Sequence, residues 1–263
     1  MPNFPDDGLR EFAASLEDVR SSIAFVRAAT RLRPRLGRLI VWDAAVGDAQ
    51  TLVTDFIGQR LADPATLYRG LLVIISGAFE QLVSRLVRDA VAQISARVGS
   101  YDALPDALKD QHIYRTGQAF LTIKHPVDHI SIDYGIFSKN IGTCQPGAKQ
   151  FTLNAEAFTT TMKSVTPTHL GDVLKRIGFD LKWDDLGRVT AMQRHFGKTR
   201  TRETADQIQT ELASFARQRN RIAHTGSSGV ALSDGDLENV ANFLQIFVSN
   251  LAVLLVDYVR KLK

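Results

Sequence analysis

One cysteine, Cys144, is all the chain of 263 residues contains, which excludes an internal disulfide and any metal site built from several thiolates. The opening residues Met1-Pro2-Asn3-Phe4-Pro5-Asp6-Asp7 lack the basic-then-apolar layout of a secretion signal. A lone thiol and no export signal make the reducing cytoplasm the expected setting. Uninterrupted apolar runs of spanning length are missing as well. The most apolar stretch, Val240 to Val259, is interrupted by Asn242, Gln245, Asn250 and Asp257, so a core helix is expected there and no membrane partner. No internal repeat occurs.

Metal and phosphate-loop motifs fail on inspection. His125-Pro126-Val127-Asp128-His129 spaces two histidines as a helical metal pair would, but Pro126 opposes a helix beginning before it and no third ligand is evident. Gly197-Lys198-Thr199 resembles the end of a phosphate-binding loop, yet Met192 stands where that loop needs its first glycine. Neither metal nor cofactor is therefore expected. His112, His169 and His195 have no assigned role, and Trp42 and Trp183 are expected to pack.

Hydrophobic residues at 44% and charged residues at 23% suit a folded globular chain rather than a disordered one. The net charge of +4 is modest, but the cations are bunched in Arg31-Leu32-Arg33-Pro34-Arg35 with Arg38, and again from Arg194 to Arg202. Bunching suits a polyanion partner, although plain solvated surface carries such runs too.

Helical periodicity dominates. Leu9, Phe12, Leu16, Val19, Ile23 and Val26 mark an amphipathic helix from Asp7 to about Thr30, which Pro34 and Gly37 are expected to break. Leu39 to Leu61 repeats the spacing through Trp42, Val46, Leu52, Val53, Phe56 and Ile57. Asp63-Pro64 then caps a third helix, Ala65 to about Val98, whose run from Leu71 to Phe79 is apolar all round and belongs at the centre of a bundle. Between Gly99 and Arg200 prolines punctuate short segments. Helices are predicted at Pro105 to Thr116, Thr166 to Gly178 and Asp184 to Phe196, while Ile130 to Phe158 fits a strand pair or loops equally. Thr201 to His224 is helical again, with a glycine stop after it, and Ser233 with Asp236 caps a final helix to Lys261.

The expected fold class is all-α. Residues 1–263 form one domain: N-terminal helices over 1–62, a bundle core from 63–98 and 201–263, and an irregular insertion over 99–200.

The chemistry concentrates in Arg217-Gln218-Arg219-Asn220-Arg221-Ile222-Ala223-His224. At about 100° per residue, Arg219 falls in the middle of the apolar stripe of Leu212, Phe215, Ala216, Ile222 and Ala223. A guanidinium there must be paired or face an anion. Glu80 is equally misplaced among Val73, Ser76, Val83 and Val87, so pairing with Arg219 relieves both. His224 lies one turn beyond Asn220 with Arg217 and Arg221 beside it. An imidazole that moves protons near neutral pH, next to fixed positive charge, is equipment for cleaving RNA without metal. Arg194, Lys198, Arg200 and Arg202 are a candidate RNA-backbone track.

Arg219-Asn220-Arg221-Ile222-Ala223-His224 resembles the R-(polar)-x-x-x-H signature of HEPN domains. Ser76-Gly77-Ala78-Phe79-Glu80 and, less distinctively, Thr168-His169-Leu170-Gly171-Asp172-Val173-Leu174-Lys175-Arg176-Ile177-Gly178 resemble the RiboL-PSP branch, so the likeness covers roughly Ala65 to Lys263. The resemblance implies an antiparallel helical bundle that forms a homodimer with the motif helices facing across one RNA cleft. Arg219 would contact the scissile phosphate, Asn220 would orient the motif, and His224 would act as acid or base. It further implies a toxin or antiviral-defence effector restrained by an antitoxin or defence-system partner. Two other roles stay open: a non-catalytic HEPN module binding RNA, nucleotide or a protein, and an accessory subunit of a nucleotidyltransferase pair.

Overall fold

The carboxylate of Asp63 accepts from the Ala65 N–H at 3.2 Å, and Pro64 occupies the first turn, where a missing N–H forfeits no helical bond. The computed structural model describes residues 4–39, 63–121, 133–160, 164–225 and 231–262, with backbone alone for 33–39. These residues form α1 (Asp6–Leu39), α2 (Pro64–Arg97), α3 (Asp106–Leu121), α4 (Tyr134–Thr143), α5 (Pro167–Arg176), α6 (Trp183–Gly187), α7 (Thr190–Phe196), α8 (Thr201–Thr225) and α9 (Asp234–Lys261). Short 3₁₀ turns lie at Tyr101–Ala103 and Ala155–Phe158, and the described residues contain no strand. The fold is all-α.

Helix α2 is central and packs against α1, α8 and α9. Phe79, fully buried, is the hub: its ring lies 6.4 Å from Phe12 of α1, 6.2 Å from Phe215 of α8 and 6.1 Å from Phe247 of α9. Such tilted and edge-on pairs add to the area they bury. Helix α1 runs antiparallel to α2, its Glu11 paired with Arg85 at 2.6 Å near one end and its Arg27 within electrostatic reach of Tyr68 near the other. It also runs antiparallel to α9. Arg20 donates to Asn242 at 3.0 Å and Gln245 at 2.9 Å, while Arg27 grips Asp234 at 2.7 Å and Glu238 at 2.8 Å.

The start of α9 carries the expected cap. Ser233 Oγ accepts from the Asp236 N–H, and the Asp236 carboxylate accepts from the Ser233 N–H at 2.8 Å. Both α2 and α9 are long and apolar enough to cross a bilayer, yet Leu72, Ile75, Phe79, Leu244, Phe247 and Leu251 all sit in the shared core. Trp183 packs as expected, stacked on Phe247.

Several expectations need correction. Helix α1 does not stop before Pro34 and Gly37 but continues to Leu39. Proline deletes one backbone bond and crowds the preceding turn, yet the helix runs through it. The apolar run of α2 is not covered on every side: Ile74 is 56% exposed, although α1, α8, α9 and the Ala155–Phe158 turn all pack on this helix. The segment Ile130 to Phe158 becomes α4 plus a 3₁₀ turn where it is described, and the single helix expected over Asp184 to Phe196 is two, α6 and α7. The helix expected over Leu39 to Leu61 and the pair His125 and His129 lie outside the described residues.

Candidate functional site

Helix α8 buries Ile208, Leu212, Phe215 and Ile222 along one stripe, and Arg219 interrupts it between Phe215 and Ile222. The side chain of Arg219 is only 27% exposed and that of Glu80 21%. Across the α2–α8 contact, Arg219 Nη2 stands 3.7 Å from Glu80 Oε2, one residue from the Phe79 hub. Arg219 Nη1 donates to Asn220 Oδ1 at 3.1 Å. Ser76, itself buried, donates to Glu80 Oε1 at 3.5 Å. The pair inferred from two misplaced charges is therefore present, though loose.

One donor is left over. Arg219 Nε is buried and has no hydrogen-bond partner among the described residues, which costs free energy until an acceptor reaches it. Towards solvent, Arg217, Arg221 and His224 share an exposed face in the last two turns of α8, with half-buried Asn220 between that face and Arg219. Thr225 Oγ1 donates to the Arg221 carbonyl at 2.7 Å and satisfies one of the free carbonyls at the helix end. Cations there also oppose the negative end of the helix dipole. The arrangement offers a proton carrier and two cations with no ion pair among the described residues, beside a half-buried guanidinium anchored on one side.

The second basic run does not join this group within one chain. Arg194, Lys198, Arg200 and Arg202 are exposed around the start of α8. Arg202 lies about 25 Å from Arg219 at the usual helical rise. Arg200 pairs with Glu203 at 3.2 Å and Arg202 with Asp206 at 3.4 Å, so half the run is already balanced by acids of α8. Among the described residues no group of three or more His, Cys, Asp or Glu is placed to hold a metal ion.

Two buried polar centres in the 99–200 region escaped sequence reasoning. His112 is fully buried on α3, and its Nε2 accepts from the Asn154 N–H at 2.9 Å. Asn154 in turn donates to Thr116 Oγ1 at 3.3 Å and the Phe137 carbonyl at 3.1 Å. Burial pushes the His112 imidazole down to about 4. Arg176 of α5 donates Nη1 to the Phe158 carbonyl at 2.7 Å, and burial followed by the nearby Arg115 lowers it to about 10. The signal available beforehand was the i, i+4 spacing of His112 and Thr116, which puts both on one helix face.

A family model described as RiboL-PSP-HEPN matches residues 52–257, a span that contains α2 through nearly all of α9 and leaves α1 outside. No curated protein and no solved structure matches the chain.

Proposed function

Because the chain belongs to the RiboL-PSP-HEPN family, a family of HEPN domains, which are often ribonucleases, we propose that it cuts RNA without a metal ion, with Arg219, Asn220 and His224 at the reacting centre. The observation that carries this reading is Arg219: a guanidinium held by Glu80 and Asn220 at the edge of the core, with a buried Nε that has no acceptor among the described residues. A phosphate oxygen would fill that need, and charge-assisted bonds of this kind are the strong ones.

In the proposed reaction the ribose 2′-hydroxyl loses its proton to a base and attacks the adjacent phosphorus. The P–O bond to the 5′-oxygen breaks, that oxygen takes up a proton, and the products are a 2′,3′-cyclic phosphate and a 5′-hydroxyl. Arg219, with Arg217 and Arg221, offsets the negative charge that builds on the phosphoryl oxygens. His224 transfers the proton. One imidazole cannot act as base and acid on the same bond at once. The working unit is therefore a homodimer whose two α8 helices face each other, so that a second His224 completes the pair. Arg194, Lys198, Arg200 and Arg202 are the proposed outer RNA contacts, with Arg194 and Lys198 contributing most because the other two are paired with acids of α8. A nuclease needing no cofactor endangers its own cell, so the proposal includes a toxin or antiviral-effector role in the cytoplasm with a restraining partner protein.

The test is cleavage of a defined RNA with the ends identified by mass. Activity should persist in chelator and disappear in His224→Ala and in Arg219→Ala; loss of activity on adding chelator would refute the reading. A second reading, a HEPN module that binds RNA without cutting it, is favoured by one observation. The His224 imidazole stands in solvent with no described residue orienting it. Purified dimer that binds RNA and leaves it intact would establish that alternative.

A further inference from the structure

From Val19 to Trp42 the chain holds six arginines, no lysine and no acidic residue. The structure divides these arginines into two groups. Arg20 and Arg27 face α9 and are engaged there, Arg20 by Asn242 and Gln245, Arg27 by Asp234 and Glu238. Arg31, Arg33, Arg35 and Arg38 lie beyond that last ion pair. Helix α9 begins at Asp234, level with Arg27, and α2 begins about one turn before Tyr68, yet α1 continues for about 18 Å past Arg27. Arg31 is exposed and meets no acid among the described residues, and no acid within helical reach follows. On the same helix Phe25 is 73% exposed, an aromatic ring in solvent between two arginine-bearing turns.

We propose that this end of α1 is an arm that binds single-stranded RNA through its phosphates, with Phe25 offering a face for a base. The proposal rests on the ribonuclease reading for the identity of the polyanion. Arginine fits phosphate through a planar fork that lysine lacks, and the absence of lysine favours that mode over simple charge attraction. An exposed aromatic beside arginines is the arrangement that holds unpaired bases without sequence preference. Helix α1 lies outside the residues matched by the family model.

The experiment is fluorescence anisotropy of a short labelled single-stranded RNA with the full chain across a salt series. Replacing Arg31, Arg33, Arg35 and Arg38 together by glutamine should lower the slope of log affinity against log salt by up to about 3, because each phosphate contact on a single strand contributes about 0.7. Replacing the same four by lysine should restore the slope while leaving affinity below wild type. Phe25→Ala should weaken binding by about fivefold or more. Far-ultraviolet circular dichroism and the melting temperature of each variant, matched to wild type, guard against unfolding. A glutamine variant with an unchanged slope overturns the arm, as does a wild-type chain that binds anionic vesicles but no RNA. His224→Ala separates the two proposals: lost cleavage with an unchanged slope concerns the nuclease centre, whereas normal cleavage by the glutamine variant with unaltered KM and slope removes the arm alone.

Discussion

Arg219 spends stability where a core residue would add it. Its guanidinium is drawn out of water to within 3.7 Å of Glu80, and one of its donors stays unmatched among the described residues. Replacing both members of such a pair by well-packed apolar side chains is often neutral or stabilising. Arg219→Met combined with Glu80→Leu should therefore hold or raise the melting temperature while abolishing cleavage, a split that a purely structural pair would not produce. Glu80→Ala, by contrast, strands the guanidinium and should lower stability by about 1–3 kcal/mol in denaturant titrations. His112 supplies a pH test. Its folded value near 4 is below the ordinary 6.5, so on acidification the unfolded chain takes up the proton first. The stability this provides is fully present above pH 6.5 and is lost as pH falls towards about 4. Urea midpoints should drop over that window, and His112→Gln should flatten the dependence.

At the level of elements, the approach of α6 to α8 turns on one glycine. A Cβ on Gly187 would lie 2.3 Å from the Thr201 carbonyl oxygen and 3.1 Å from Ala205, both at the start of the motif helix. Gly187→Ala should cost about 2–3 kcal/mol, measured as a shift in the unfolding midpoint, because rigid backbone must move. How much of this was legible differs by element. Helices α2, α8 and α9 could be read from capping pairs and apolar spacing, since Asp63-Pro64 and Ser233 with Asp236 act within one turn. The Arg219–Glu80 pair was legible for a related reason: each charge broke the stripe of its own helix. The course of α1 through Pro34 was not, because a proline inside a helical pattern reads as a stop. Nor was the centre of α3, α4 and the Ala155–Phe158 turn, where Asn154 reaches residues 38 and 42 positions away. No local pattern encodes that reach.

For the molecule as a whole, the proposed chemistry requires two copies. Sedimentation of the purified chain should give twice the monomer mass, and dilution that dissociates the pair should extinguish cleavage with it. The bundle also has a mechanical centre. Phe79→Ala removes ring contacts to three helices at once and should cost about 3–5 kcal/mol by chemical denaturation. Phe79 and Glu80 are joined by a single peptide bond, so the keystone of the interior and the carboxylate steadying Arg219 cannot shift independently. Thermodynamic reciprocity then makes heat a detector of occupancy: an oligonucleotide seated on that guanidinium must brace the entire assembly, and the resulting rise in melting point can be read without any cut being made.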